Sequence, residues 1–324
     1  MRKFDFAISM GSNVTSIYKA DVGVVLSDKS ALVTAIKSRK EVATLVGEDA
    51  VTSGMDYKKV YTDGRIDFTL AELLLGEFFK KLEISKRDGI VFLVSLEDMK
   101  LSSEFRHLAY ALGINTVEVV PSILATAYGF EIENLKNSFL LCDIGSNTEI
   151  AIINNGRIVT GATVFNGGDN IDKRISDKIA EEQIINLGKA LSEYVKNELV
   201  TLLPNDERCV AVYGFINNTS EQAQVKISSN DIFEIVVEEY GLITDAILEI
   251  LSTCTPEVND DIRKHGIYLC GASSKVAGIE KFFKLKLGLD AYVYKPDTVT
   301  MVGAGQLLDT PLELDRVIRE NSIR

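Results

Sequence analysis

Two stretches of the chain repeat one pattern, in which an apolar run is followed by a turn of small polar residues and a second apolar run. The first is FDFAISMGSNVTSIYKA at residues 4–20, and the second is FLLCDIGSNTEIAIIN at residues 139–154. Each is typical of two strands joined by a tight turn, and each opens a series of strands, helix, strand and helix. This repeat predicts an α/β protein of two similar lobes with a cleft between them.

The turn of the second stretch carries groups suited to binding a metal ion and a phosphate. Asp143 stands at its mouth, where a buried acid is costly unless it has a task such as holding a hydrated Mg²⁺. The backbone N–H groups of Gly145, Ser146 and Asn147 can cradle a phosphate. Two such turns facing each other across a cleft would clamp a nucleotide. The residues alone leave a second interpretation open, an ordinary hairpin whose Asp143 caps its own turn.

Charge and hydropathy argue against several other classes of protein. The chain of 324 residues has a net charge of −12, whereas binding to the nucleic-acid backbone needs a basic face. No apolar run approaches the roughly 18 residues of a membrane span, and the N-terminus MRKFDFAISM leaves no room for a signal peptide. The four cysteines of the chain (Cys142, Cys209, Cys254 and Cys270) are scattered, which is typical of free thiols in a reducing cytoplasm. We therefore expect a cytoplasmic protein with no nucleic-acid partner.

Hydrophobic periodicity predicts further elements between and after the two repeats. Leucine, phenylalanine and isoleucine recur at helical spacing over 70–82, where Thr69 is in position to cap the helix. The segment 178–203 is predicted to be helical throughout, as one or two helices. Apolar runs at 207–215 and 222–228 predict a pair of strands that form a hairpin.

Five segments, in the same order along the chain, resemble the motifs of one family. They are ISMGSNVTSIY at 8–18, DIGSNTEIAII at 143–153, FNGGDNID at 165–172, HGIYLCGASSKVAG at 265–278 and PDTVTMVGAG at 296–305. Together they resemble the MreB-like bacterial actins, which belong to the superfamily of actin, sugar kinases and heat-shock-chaperone ATPases. The resemblance implies an actin-like ATPase fold, with two duplicated RNase H-like units of order βββαβαβα around a central nucleotide cleft.

The resemblance also implies the extent of the two lobes. The first would comprise residues 1–135 with about 306–324, and would have a reduced small subdomain near 36–68. The second would comprise 136–305, with an inserted subdomain near 180–262.

A set of site residues follows from the positions that match the family's motifs. ATP and Mg²⁺ are the implied ligands, with Mg²⁺ held through water by Asp143, and the catalytic positions fall on Asp143 and Ser122. The residues implied to bind the phosphates, ribose and adenine are Gly11, Ser12, Asn13, Gly145, Ser146, Asn147, Gly167, Gly168, Asp169, Asn186, Gly271, Ala272 and Ser273.

Several of these positions depart from the family's pattern. Ser9 stands where the first turn normally carries an acid associated with magnesium, and Ser122 replaces a Glu or Gln that orients the attacking water. Ile184 and Asn186 stand where a Lys and a Glu usually contact the ribose. Since serine is a poor base, we expect weakened ATP binding and slow or absent hydrolysis.

The resemblance implies a cytoskeletal or scaffolding role. Two classes of enzyme are the alternatives. The protein would polymerise into protofilaments or dock to another actin-like filament, in the organisation of cell shape or the cell wall. Between Leu82 and Gly89 the chain lacks the family's membrane-insertion loop, so we expect no direct membrane insertion. An active ATPase acting as a chaperone or activator would need a substrate domain after Arg324. A small-molecule kinase would need an acidic base, for which Asp63 and Asp67 are the candidates.

Overall fold

A computed structural model describes residues 4–62, 64–130, 137–217 and 219–321. The chain forms two compact units, of which the first comprises Met1–Asn137, Ile153–Ala162 and Thr298–Arg324. The second comprises Ser138–Ile152 and Thr163–Asp297. The lobe boundaries implied by the family resemblance stay a prediction.

The chain up to Gly129 forms ten strands and four helices among the described residues. In chain order they are β1 (Phe6–Met10), β2 (Val14–Lys19), β3 (Gly23–Lys29), β4 (Ala31–Lys37), β5 (Lys40–Val46), α1 (Glu48–Thr52), β6 (Lys58–Lys59), β7 (Tyr61–Thr62), β8 (Arg65–Ile66), α2 (Phe68–Leu82), β9 (Gly89–Val94), α3 (Ser102–Ala111), β10 (Thr116–Pro121) and α4 (Ser122–Gly129).

The remaining elements begin at Phe139. They are β11 (Phe139–Ile144), β12 (Thr148–Asn154), β13 (Arg157–Val164), α5 (Gly168–Glu182), β14 (Ile185–Asn186), α6 (Gly188–Leu199), β15 (Cys209–Ile216), β16 (Gln222–Ser228), α7 (Ser229–Ser252), α8 (Pro256–His265), β17 (Ile267–Cys270), α9 (Ile279–Leu287), β18 (Ala291–Val293), α10 (Val299–Asp309) and α11 (Pro311–Asn321).

Two five-stranded sheets share one topology. The first has the order β3-β2-β1-β9-β10, and the second has the order β13-β12-β11-β17-β18. In both, three strands that are consecutive in the chain are followed across the sheet by two strands that arrive after helices. Strands β1 and β9 are parallel, as are β11 and β17. The duplication predicted from the two repeated turns is therefore present in the strand order.

A hydrophobic core holds the first sheet to helices α2 and α3. Strand β9 is buried along its whole length, which explains its continuous apolar sequence GIVFLV. Phe92 of this strand packs against Phe105 of α3 with ring centroids 5.4 Å apart, and Phe68 of α2 meets the same ring at 5.2 Å. Strand β1 pairs with β2 on one side and with the buried β9 on the other, so the turn after β1 starts from a fixed position.

The start of α2 differs from the prediction that Thr69 caps it. Asp67 is the N-cap, and its Oδ1 accepts hydrogen bonds from the backbone N–H groups of Thr69 and Leu70 at 2.9 and 3.1 Å. A short carboxylate two residues earlier in the chain accepts both N–H groups, including that of Thr69 itself. Asp67, a candidate base for a kinase, is thus engaged in capping, while Asp63 lies outside the described residues.

The prediction that 178–203 is helical throughout, as one or two helices, is also wrong in part. Helix α5 ends at Glu182 and α6 begins at Gly188, with the short strand β14 between them. Ile184 adopts a left-handed φ of 60°, and its carbonyl accepts the Asn217 N–H at 2.9 Å. Pairing of β14 with β15 overrides the local helical pattern, whereas the hairpin of β15 and β16 is confirmed.

Helices α4 and α10 of the first unit cross at Gly129 and Gly303, where the backbones of the two helices are in contact. A Cβ on Gly303 would lie 1.7 Å from the Ala125 carbonyl oxygen, and one on Gly129 would lie 1.9 Å from the Val299 carbonyl oxygen. The hydroxyls of Thr126 and Thr300 hydrogen-bond across the crossing, with their oxygens 2.7 Å apart. Only glycine allows the two backbones to pack this closely.

We expect Gly303→Ala to lower the free energy of unfolding by about 1–3 kcal/mol, because the added methyl group forces the two helices apart. Urea-induced unfolding followed by circular dichroism measures this change. The matched control is Gly76→Ala in α2, where the nearest side-chain atom, Leu112 Cδ2, lies 3.6 Å from the added Cβ. This control should gain up to about 1 kcal/mol from helix propensity. Equal stabilities of the two variants would contradict the close crossing.

Candidate functional site

The turn between β11 and β12 is closed by its own backbone. The Gly145 N–H donates to the Asn147 carbonyl at 3.0 Å, and the Thr148 hydroxyl donates to the Asn166 carbonyl at 2.7 Å. The first bond shapes the turn, so Asp143 is not needed to close it. The second bond connects the turn to the segment that leads into α5. Gly145, Ser146 and Asn147 therefore lie beside the predicted Gly167–Asp169 segment.

The start of α5 packs directly on this turn. The Gly168 N–H donates to the Gly145 carbonyl at 2.9 Å. A Cβ on Gly167 would lie 2.6 Å from the carbonyl oxygens of both Gly145 and Ser146, so a side chain has no room there. Helix α5 begins at Gly168, with Asp169 in its first turn. Unpaired N–H groups at such a helix start attract anions such as phosphate.

A third turn, after β17, reaches the same carbonyl. The Ser273 hydroxyl donates to the Gly145 carbonyl oxygen at 3.3 Å, and Ala272–Lys275 form a single 3₁₀ turn. Gly271 has a φ of 81°, and a Cβ on it would lie 2.3 Å from Asp143 Oδ1. The structure thus brings together three of the segments that the sequence assigned separately to phosphate and adenine.

Helix α7 supports two of the three turns. Its Tyr240 hydroxyl donates to the Ser273 carbonyl at 2.6 Å. The neighbouring Glu239, which is buried, accepts hydrogen bonds from Asn166 Nδ2 at 2.8 Å and Arg174 Nη1 at 3.0 Å. Because these bonds come from consecutive residues of one helix, the turns before α5 and after β17 are held in a fixed relation.

Asp143 has the electrostatics of a carboxylate that a cation would stabilise. Burial raises the pKa of its carboxyl from 3.8 to about 6, and a hydrogen bond with the Cys270 thiol opposes this rise. A nearby cation favours the ionised form of a desolvated acid. Asp143 lies at the carboxyl end of β11, beside the turn Gly145–Asn147, which we call the phosphate-type turn of the second unit. This position fits a magnesium ion held through water. Within the described parts of the chain, no group of three or more His, Cys, Asp or Glu forms a direct metal site.

Lys196 of α6 belongs to this site, although no pattern in the sequence pointed to it. Its Nζ donates to the Gly168 carbonyl at 3.1 Å and to Asp172 Oδ2 at 2.7 Å. Burial raises the pKa of the Asp172 carboxyl to about 6, while the Lys196 charge acts against this rise. Lys196 sits in no motif, and a single lysine on an amphipathic helix is usually solvated. Only the packing of α5 on α6 places its charge at the Gly168 turn.

Asn186 lies in β14, where its side chain is engaged locally. Its Oδ1 accepts the backbone N–H of Gly188 at 2.8 Å, and the adjacent Ile184 is exposed. A role for Asn186 in binding a ribose stays a prediction.

The corresponding turn of the first unit lies between β1 and β2. The Gly11 N–H donates to the Val14 carbonyl at 2.9 Å, and the Asn13 carbonyl accepts the Ser30 N–H at 3.0 Å. Ser12 is partly buried between them, and Ser9, near the end of β1, pairs in register with Ser16 of β2. Both turns are closed by the N–H of their glycine, but the Gly11 bond reaches the third residue on, whereas the Gly145 bond reaches the second.

Ser122 is the first residue of α4, directly after the N-cap Pro121. Its carbonyl accepts the Thr126 hydroxyl at 3.1 Å, which is an interaction within the helix. A serine here presents a small neutral hydroxyl, which can hold a water molecule but removes a proton poorly.

Other features of the described residues agree with the sequence analysis. All four cysteines are free, and Cys142 and Cys270 are buried. In the ranges that the structure describes, no helix combines the length and the apolar character that crossing a membrane requires.

Comparison with known proteins identifies relatives over almost the whole chain. The family model described as MreB/Mbl protein matches residues 3–316. The cell shape-determining protein MreB of Escherichia coli (strain K12) is 27% identical, with 94% of this chain and 93% of that protein covered. The cell shape-determining protein Mbl of Bacillus subtilis (strain 168) is 24% identical, with 94% and 96% covered.

Solved structures share the fold. The crystal structure of MreB5 of Spiroplasma citri bound to AMPPNP has a TM-score of 0.87 at 24% identity, covering 97% of this chain and 99% of that chain. The MamK double helical filament has a TM-score of 0.75 at 19% identity, covering 94% and 98%. The actin-like fold implied by the five sequence segments is confirmed, and the chain belongs to the MreB/Mbl family.

Proposed function

We propose that this protein is an actin-like cytoskeletal or scaffolding protein that self-associates into protofilaments, or docks to another actin-like filament, with a degenerate ATP site. The observation that carries the proposal is the family match over residues 3–316. Relatives over this range are named as cell shape-determining proteins, and MamK, which shares the fold, is described as a double helical filament. We expect the protein to act in the cytoplasm, in organising cell shape or the cell wall, without a nucleic-acid partner.

Nucleotide binding is supported by the backbone of the phosphate-type turns. The N–H groups around Ser146 and Asn147, together with the start of α5, would receive phosphate oxygens. In the first unit, the turn Gly11–Asn13 would do the same. Asp143 would hold Mg²⁺ through water, and the ion would supply neutralising charge to the phosphate oxygens. The segment Gly271–Ser273 would border the adenine.

Hydrolysis is expected to be slow or absent because neutral hydroxyls stand at two positions where the family's pattern has an acid or an amide. Ser122 at the start of α4 would hold a water molecule without acting as an effective base, and loss of a positioned base commonly costs about 10²–10⁴-fold in rate. Ser9 provides no charge for a hydrated metal ion. The protein would therefore bind nucleotide as a structural ligand more than as a substrate.

We expect weak ATP binding by calorimetry, and filaments that form above a critical protein concentration both with and without ATP. Pelleting at rising protein concentration, followed by electron microscopy in ATP, in ADP and without nucleotide, measures assembly. Albumin spun under the same conditions controls for sedimentation without assembly. Tight ATP binding with rapid phosphate release, or filaments that require ATP, would contradict the degenerate site. Absence of assembly under all conditions would leave docking to another filament as the remaining form of the proposal.

We expect Ser122→Glu to increase ATP hydrolysis by about tenfold or more, because a carboxylate at the start of α4 can orient and deprotonate water. Phosphate release under saturating ATP measures this gain. The control Ser103→Glu places the same charge on the exposed first turn of α3 and should leave the rate unchanged. Equal rates in the two variants would place the reacting water elsewhere.

We expect Gly167→Ala to weaken ATP binding by tenfold or more, a loss of about 1.4 kcal/mol. The added Cβ would lie 2.6 Å from two carbonyl oxygens of the phosphate-type turn and would push that turn away from α5. Calorimetry measures the affinity. The control is Gly241→Ala in α7, where a Cβ meets no neighbouring group of the described residues within 4 Å. An unchanged affinity in Gly167→Ala would separate nucleotide binding from this turn.

A further inference from the structure

A lysine of the small three-stranded sheet β5-β4-β6 reaches the turn Gly11–Asn13, the phosphate-type turn of the first unit. Lys59 Nζ donates to Asn13 Oδ1 at 2.7 Å, although the two residues are 46 positions apart in the chain. Lys59 lies in β6 and pairs in register with Ala31 of β4. Lys59 is partly buried.

One residue connects the lysine's strand to the turn. The Ser30 N–H donates to the Asn13 carbonyl at 3.0 Å, and the Ser30 carbonyl accepts the Val60 N–H at 3.0 Å. The Ser30 and Thr15 hydroxyls hydrogen-bond at 2.9 Å, and both residues are buried. The backbone beside Lys59 and the turn at Asn13 are therefore fixed to the same point. A charge held in place this way needs little reorganisation to meet a ligand.

We infer that Lys59 is a phosphate-binding residue of the first unit, and that its ammonium brings positive charge to the turn where Ser9 has replaced a metal-associated acid. The inference rests on the proposed function, because it requires that Gly11–Asn13 receive a nucleotide phosphate. An ammonium within hydrogen-bond reach of a phosphate turn forms a charge-assisted bond with phosphate oxygens. The first turn then neutralises phosphate charge with a side chain of the protein. ATP binding should accordingly depend less on Mg²⁺ than in a site with both acids.

The competing explanation is that Lys59 only anchors Asn13 and so shapes the turn. The two explanations differ in what carries the effect. Lys59→Gln keeps an N–H donor for Asn13 but removes the charge, and Lys59→Arg keeps the charge. Adenosine, which has no phosphate, reports on the shape of the remaining site alone.

The experiment is calorimetric titration of the full chain with ATP and with adenosine, in EDTA and in excess Mg²⁺. We expect Lys59→Gln to lower ATP affinity about ten- to a hundredfold in EDTA, as loss of a charged hydrogen bond does, with adenosine affinity unchanged. Lys59→Arg should retain most of the ATP affinity. The matched control is Lys58→Gln, because Lys58 precedes Lys59 in β6 but pairs with Glu41 at 2.5 Å. That control should stay within about twofold of the wild type.

The outcomes separate this inference from the proposed function. If the wild type binds ATP and Lys59→Gln behaves like Lys58→Gln, the phosphate role of Lys59 is refuted while nucleotide binding stands. An equal loss of adenosine and ATP affinity in Lys59→Gln would show an anchoring role and refute the phosphate role. A wild type that binds ATP in neither buffer would refute the phosphate role of Lys59 and the nucleotide-binding part of the proposed function, while pelleting tests filament assembly separately. Thermal melting of each variant shows whether a loss of affinity comes from unfolding, and Lys59→Arg then decides the role of the charge.

Discussion

The site of the second unit depends on one acceptor, the Gly145 carbonyl oxygen, where its own turn meets the turns before α5 and after β17. The Gly168 N–H and the Ser273 hydroxyl both donate to it. Neither Gly167 nor Gly271 has room for a Cβ, because backbone or the Asp143 carboxylate stands in its place. The carboxyl ends of β11 and β17 and the start of α5 therefore meet at fixed distances. Since these contacts are mostly made by backbone atoms, the arrangement does not require the side chains that perform chemistry.

That independence explains how scaffold and chemistry can diverge. By the family resemblance, Ser9 and Ser122 stand where larger acidic or amide groups are usual, and small neutral hydroxyls are easily accommodated without charge burial. Asp143 remains, and its raised pKa shows that keeping it ionised in the free protein has a cost. On the proposed function, the protein assembles without hydrolysing ATP, and its turns are held by contacts within the chain. Such a protein can lose the groups that position water and still fold and assemble.

Much of the fold followed from periodicity and the repeated turns, whereas the charged groups around the site did not. The two strand–turn–strand repeats predicted two similar α/β lobes because buried strands and small-residue turns are local signals, while the order of strands and helices in each lobe was implied by the family resemblance. Lys59 and Lys196 were missed because each reaches its turn through pairing or packing between distant segments. The same cause broke the predicted helix at Ile184, where pairing of β14 with β15 overrides local propensity. Asp67 and Thr69 show a finer limit, since both residue types are good caps and the two positions are only two residues apart.

The crossing of α4 and α10 has a consequence for how the protein can vary. Packed helices ordinarily adjust to one another by changing side-chain rotamers, but at Gly303 and Gly129 the backbones touch and no rotamer is available. The position of Ser122, the first residue of α4, is therefore set by α10, a helix near the end of the chain. Substitutions in α10 will be epistatic with substitutions at position 122. A change that restores activity at Ser122 in one genetic background can fail in another whose α10 differs.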